Sequence, residues 1–266
     1  MCKLCDGTLF SFLGYLTTTE LIVCSEVTIL PNNLNGLISL NVSNNKNITY
    51  IPSSLVDLEH INISCTNITY LPHELTKLKS IKASYSKLLS IGPFYQLEYL
   101  DVSACQKLDH LSDKLVLLKN LNISLTRIES LHSSYTQLET LNCSESSIVI
   151  IPDTYTSLEE LICSHTNITT LPNTFLHLII LNCSGTNIKN IPGTYLYLKK
   201  LEWITNITPT LPDTLINLEE LNISTSSSLS SPSSDSNEVV IPETLIKLKN
   251  IICEGRHTSD SDNGIV

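Results

Sequence analysis

A solenoid of stacked short repeats is the fold class this chain predicts, and three observations predict it. The string LPxxLxxLxxLNxSxTNIxx recurs in eleven lines starting at Leu30, Ile51, Leu71, Ile91, Leu111, Leu131, Ile151, Leu171, Ile191, Leu211 and Ile241. From Ile51 to Ile191 every start falls 20 residues after the one before. In a line such as IPDTYTSLEELICSHTNITT, Leu161 and Cys163 alternate with Glu160, Ile162 and Ser164, the period-two signature of a strand with one buried face. A proline recurs at Pro31, Pro52, Pro72, Pro152, Pro172, Pro192, Pro212 and Pro242, where it removes a backbone donor and holds the preceding residue extended. A unit this short cannot bury its apolar side alone, so each must stack on its neighbours.

Each element follows in order. Residues 1–29 read as a degenerate repeat or cap, with TLFSFLGYL as its apolar layer; that segment has no small-residue cleavage site of the kind a secretory signal carries. Residues 30–253 form the solenoid, with strands expected near residues 39, 60, 80, 99, 120, 140, 160, 180, 200 and 220. The prolines leave little room for a convex helix, so strand should exceed helix, with extended or single-turn 3₁₀ backbone on the return path. Tyr95, Tyr135, Tyr155, Phe175 and Tyr195 share a position with Leu55, Leu75, Leu115, Leu215 and Leu245. That exchange reads as a core column. The segment TSSSLSSPSSDSNE, residues 225–238, is too polar to pack and reads as an inserted loop; 254–266 is a disordered tail.

The motif L-x-x-L-x-C-x-x-T-x-I, carried here by Leu158, Leu161, Cys163, Thr166 and Ile168, resembles the conserved segment of the leucine-rich repeat family. The resemblance covers roughly residues 21 to 253. It implies a leucine-rich repeat solenoid of the α/β class, mostly β: a curved horseshoe with a parallel sheet on its concave face. The short LP-type repeat is similar to those of bacterial secreted effectors and of repeat proteins from amoebae and large DNA viruses. The ligase domain that follows the repeats in such effectors has no counterpart in the short tail here. The chain departs from the family at its asparagine position, which holds Thr66, Ser86, Thr126, Ser146, Thr166 and Thr186, with Asn45 and Cys105 in two longer repeats. A hydroxyl has fewer donors and acceptors than an amide, so a weaker side-chain ladder between repeats is expected.

A formal charge of −10 argues against nucleic acid or an anionic membrane as partner, since both need a basic face. Nine cysteines are present, but Cys143, Cys163, Cys183 and Cys253 share a position with Val42, Ile63, Val102, Ile123 and Ile223. They therefore read as small buried hydrophobes, with no structural disulfide and a reducing compartment. Cys2 and Cys5 form one CxxC with no second pair, too little for a metal site. Ten N-x-[ST] sequons follow from the repeat consensus, and glycans on strands about 4.8 Å apart would collide.

Neither a catalytic constellation nor a phosphate loop is present in the sequence, and no cofactor or metal is implied. The expectation is a non-catalytic, cytoplasmic protein (in a host cell, if viral or an effector) that binds a protein partner through its concave face. An extracellular recognition or adhesion protein is the alternative that the sequons favour. The concave rows read Asn41, Asn62, Lys82, Asp101, Asn122, Asn142, Ile162, Asn182, Glu202, Asn222, beside a row that is nearly all serine. They lose this monotony at Ile162, Ile180 and Ile204, with Lys200 and Glu202 on the strand of Ile204. An apolar group ringed by charge has the composition of an interface, so these five residues are the candidate partner site.

Overall fold

The computed structural model describes residues 19–205, 209–225 and 241–252. Cys2, Cys5, Cys253, the TLFSFLGYL segment, the tail and all but the first residue of the serine-rich insertion lie outside these residues. One parallel sheet of twelve strands, in chain order, carries the fold. The strands are β1 (Glu20–Ile22), β2 (Ser39–Asn41), β3 (His60–Asn62), β4 (Ser80–Lys82), β5 (Tyr99–Asp101) and β6 (Asn120–Asn122). They continue with β7 (Thr140–Asn142), β8 (Glu160–Ile162), β9 (Ile180–Asn182), β10 (Lys200–Thr205), β11 (Glu220–Thr225) and β12 (Asn250–Ile252). From β2 to β11 every strand begins at the residue the repeat spacing predicts.

From β1 to β9 each strand buries its central residue, as Leu121, Leu141 and Leu161 do in β6 to β8, and turns its first and third outward. The ladder outlasts the three-residue strands. Val42 N–H donates to the Asn62 carbonyl and Asn44 N–H to the Ser64 carbonyl, both at 2.9 Å, and the same pair recurs along the stack. The residue after that serine then turns the chain in a left-handed conformation: Asn44, Cys65, Tyr85, Ala104, Leu125, Glu145, His165 and Gly185 all have positive φ. For a side chain larger than Asn this costs on the order of 1–2 kcal/mol, and the flanking inter-repeat bonds hold it in place. At Gly185 a Cβ would also crowd the exposed His165 ring, which would have to shift.

On the convex side most repeats make two consecutive turns. Leu55 N–H reaches the Pro52 carbonyl at 3.3 Å, and Leu58 N–H the Leu55 carbonyl at 3.1 Å. This i→i+3 spacing is that of 3₁₀ backbone, and no helix occurs among the described residues. A hydroxyl ladder that sequence reasoning missed ties these turns together. Ser134, Thr154, Thr174, Thr194, Thr214 and Thr244 each donate to a carbonyl of the preceding repeat at 2.6–2.9 Å.

Four expectations need correction. The side chains at the family's asparagine position mostly do not bridge repeats: Thr66, Thr126, Ser146, Thr166 and Thr186 donate to the carbonyl three residues back in their own repeat. Only the longer turns reach the preceding repeat, where Asn45 donates to the Cys24 and Val27 carbonyls and the Cys105 thiol to that of Ala83. Tyr95 is exposed and Phe94 occupies the core column in its place, because Gly92–Pro93 makes that turn one residue shorter. The other aromatics are buried, with Tyr135–Tyr155 and Phe175–Tyr195 stacked at 6.4 Å. The convex backbone is the expected extended and 3₁₀-type path, but most repeats make a pair of turns where a single one was expected. Finally, Cys24 is disulfide-bonded, so the expectation of a chain without bridges fails at its N-terminal end. Cys105, Cys143, Cys163 and Cys183 are free and buried.

Candidate functional site

The concave surface is built from the first and third residues of each strand, and its monotony has a structural cause. The side-chain oxygens of Asn41, Asn62, Asn122, Asn142 and Asn182 each accept the N–H of the serine two residues on, at 3.0–3.1 Å. Asp101 does the same for Ser103 at 3.0 Å. Asparagine and serine therefore recur because together they close the strand into its turn, an Asx turn repeated down the stack.

Ile162 cannot accept that bond. It stands half-buried in β8 between Asn142 and Asn182 by register. Ile180, half-buried in β9, sits between Glu160 and Lys200 and diagonal to Ile162. Lys200 Nζ lies 3.0 Å from Glu202 and 3.9 Å from Glu220. The Glu202 carboxylate also accepts the Asn182 amide at 2.6 Å. The hydrogen bond from Lys200 to Glu202, and then the charge of Glu202, hold the Lys200 ammonium above its ordinary pKa. Ile204 lies farther along β10, opposite Ser224 and 36% exposed, and its N–H donates to Ser184 Oγ at 3.1 Å. Ile162 and Ile180 thus come together beside a self-satisfied Lys200–Glu202 pair, while Ile204 lies in the neighbouring serine row, two strands from Ile162.

A further row lies along the edge of the sheet, at the residue before each strand from β3 to β12. It reads Glu59, Lys79, Glu98, Lys119, Glu139, Glu159, Ile179, Lys199, Glu219, Lys249. Direct backbone hydrogen bonds of 2.8–2.9 Å join each member to the next. Lys79 pairs with Glu59 and Lys119 with Glu98 at 2.8 Å, and Lys249 pairs with Glu219 at 2.5 Å. The bonded lysine, first through its hydrogen bond, lowers each of these carboxyls below the usual range. The repeat pattern alone did not reveal that charges alternate along this row from Glu59 to Glu139, nor where the alternation stops.

Two other features went unread. Leu176, Leu196, Ile216 and Ile246 form an exposed convex stripe at one repeat position. His132 Nδ1 lies 2.9 Å from Ser134 Oγ, but the hydroxyl proton is committed to the Asp113 carbonyl and both groups are exposed in a surface turn. Burial pushes the Cys143 thiol up to about 12 and raises Cys163 and Cys183, the opposite of what a nucleophilic cysteine needs. No group of three His, Cys, Asp or Glu side chains among the described residues could hold a metal ion.

No known family profile and no curated protein matches this sequence. Solved structures do. The functional domain of InlJ from Listeria monocytogenes, which includes a cysteine ladder, superposes with a TM-score of 0.61 at 21% identity over 90% of this chain and 54% of that one. YopM from Yersinia enterocolitica WA-314 gives 0.58 at 18% identity, over 89% of this chain and 56% of that one. The fold is that of the leucine-rich repeat solenoid. The repeat component FLRT2, in its complex with latrophilin 3 and Unc5D, gives 0.57 at 19% identity, over 80% of this chain and 82% of the matched one. This chain spans about half the length of the InlJ and YopM structures.

Proposed function

We propose that this leucine-rich repeat chain is a non-catalytic interaction protein that holds a protein partner on its concave face across β8 to β10. The observation that carries this reading is the loss of the strand-closing asparagine at Ile162. A residue that gives up a repeated structural bond and presents a branched apolar side chain instead has another use for that position. Ile180, Lys200, Glu202 and Ile204 complete the surface, with the aliphatic groups as anchors and the charged pair as polar surround. The test is the triple variant Ile162→Asn, Ile180→Asn, Ile204→Ser, which restores the consensus surface. It should keep the far-UV spectrum and melting temperature of the parent while a partner identified by affinity capture loses at least about tenfold in affinity. A partner that binds both proteins equally removes the concave reading. A second reading, an extracellular recognition protein, draws its support from the disulfide at Cys24, because such bridges persist in oxidising compartments. Glycan mass on native material would favour that reading over the cytoplasmic one.

A further inference from the structure

The last described repeat, residues 241–252, is written like the others and buried unlike them. Ile246 is 84%, Ile251 50% and Ile252 54% exposed, and Ile241 and Leu248 are only partly buried. Leu245 is its one closed core residue. The opposite end of the stack is closed: Leu21 and Val23 are buried. A solenoid stays soluble by ending in a repeat with a polar outer face, and this repeat has an apolar one. β12 also lies at the edge of the sheet, with β11 on one side only, so its outward backbone groups face no strand among the described residues. The neighbouring sequence holds little that could replace a further layer. Residues 226–240 supply Leu229, Val239 and Val240 as their only aliphatic side chains. Residues 253–266 supply only Ile265 and Val266, and they do not continue the repeat.

From this face we infer that two copies of the chain pair end to end through the 241–252 layer. The two-fold axis runs through the centre of β12 and crosses the return path 241–249 at its midpoint, Leu245. The two β12 strands then lie antiparallel and join both sheets into one, Ile251 meeting Ile251 across the axis and Ile252 meeting Asn250. Charge favours this occupant. The layer holds Lys247 and Lys249 against Glu243 alone, a net +1 in a chain of formal charge −10, so the copies do not bring acid to acid. The axis sets Glu243 of each copy opposite Lys247 of the other. Lys247 gives one donor to Asn217 Oδ1 at 2.7 Å, and an ammonium has three. Lys249, by contrast, is engaged by Glu219. Because the N-terminal layer is buried, no second open face is left, and the assembly closes at two copies instead of growing into a filament. One layer is small beside the roughly 800 Å² per partner of a standard interface. The pair should therefore have micromolar affinity and separate at the dilution of an unfolding measurement. This inference is independent of the concave reading above.

The test is sedimentation velocity of the full chain from about 1 to about 200 µM. The parent should pass from one chain to two across this range and go no further. Ile251→Asp puts a charge on the axis at a half-exposed site, so it should keep the far-UV spectrum and weaken pairing at least about tenfold. E243K and K247E each place like charges across the axis and should each weaken pairing at least about fivefold. An equimolar mixture of these two variants makes every such contact opposite in sign, and it should pair at least as well as the parent. The double variant E243K/K247E should regain the parent's affinity. A parent that stays single at the highest concentration, growth beyond two copies, or a mixture no stronger than its components would overturn the inference. The Ile162/Ile180/Ile204 variant should pair like the parent, so failure of the concave reading and failure of this one read out separately. Loss of pairing in that variant would put the contact on the concave face and also overturn it.

Discussion

The middle of the stack, β6 to β9, and its C-terminal end, β10 to β12, are written in nearly the same repeat yet differ in structure. In the middle each strand is three residues long, and Leu121, Leu141, Leu161 and Leu181 are at most 2% exposed. Cys143, Cys163 and Cys183 stack in one column behind them. In β10 the same column position holds Trp203, fully buried with no hydrogen-bond partner for its indole N–H among the described residues, and the strand runs to six residues. In β12 the residue equivalent to those leucines, Ile251, is 50% exposed. The sequence position is equivalent; the neighbours are not. A repeat in a solenoid owes its burial to the repeats on either side, so one pattern gives a closed core in the middle and an open one at the end.

The largest test of that contrast is truncation. Tyr155→Ala removes a fully buried ring and leaves the His132 carbonyl, now 2.8 Å from the Tyr155 hydroxyl, without its donor. It should cost about 3–5 kcal/mol in urea unfolding. Ile251→Ala, half exposed, should cost less than about 1 kcal/mol. Similar values for the two would mean the C-terminal repeat is covered by something that closes its core.

Alkaline unfolding separates the regions next. Burial raises the thiol pKa of Cys143 to about 12 and raises those of Cys163 and Cys183 above the ordinary value. The folded state therefore holds these protons longer than the unfolded chain does. Their contribution is fully present below the unfolded thiol pKa of about 8.5 and is lost as pH rises through the folded values, at up to about 1.4 kcal/mol per pH unit for each thiol. Replacing all three by valine, the residue Val42 and Val102 supply elsewhere in the column, should make stability between pH 9 and 11 much flatter. An unchanged slope would mean the column is not what titrates.

The smallest expected effect compares the two kinds of turn. Asn45→Ala leaves the Cys24 and Val27 carbonyls and the Asn47 and Ile48 N–H groups without their partner, for a loss of about 1–3 kcal/mol. Thr166→Val deletes one local bond of 2.7 Å to the Cys163 carbonyl, for about 1 kcal/mol. If Thr166→Val proves the costlier, the local hydroxyl bond matters more than the bridging amide.

By itself the sequence determined the period, the strand starts from β2 to β11, the inward and outward faces and the cysteine column, because each depends on spacing within a repeat and on the choice between apolar and polar. Even Ile162, Ile180 and Ile204 were visible as breaks in a row. What tertiary structure decided is everything that depends on which atoms neighbouring repeats bring together. Asn45 bridged repeats and Thr66 did not, and a single residue's change in turn length put Phe94 rather than Tyr95 in the core. Register along the edge of the sheet turned scattered lysines and glutamates into one alternating row and showed where it stops, at Glu139 and Glu159. Stacking is the physical reason. Residues 20 apart meet only once the solenoid is wound, and a side chain's partners there are set by ångström-scale offsets that a consensus does not record.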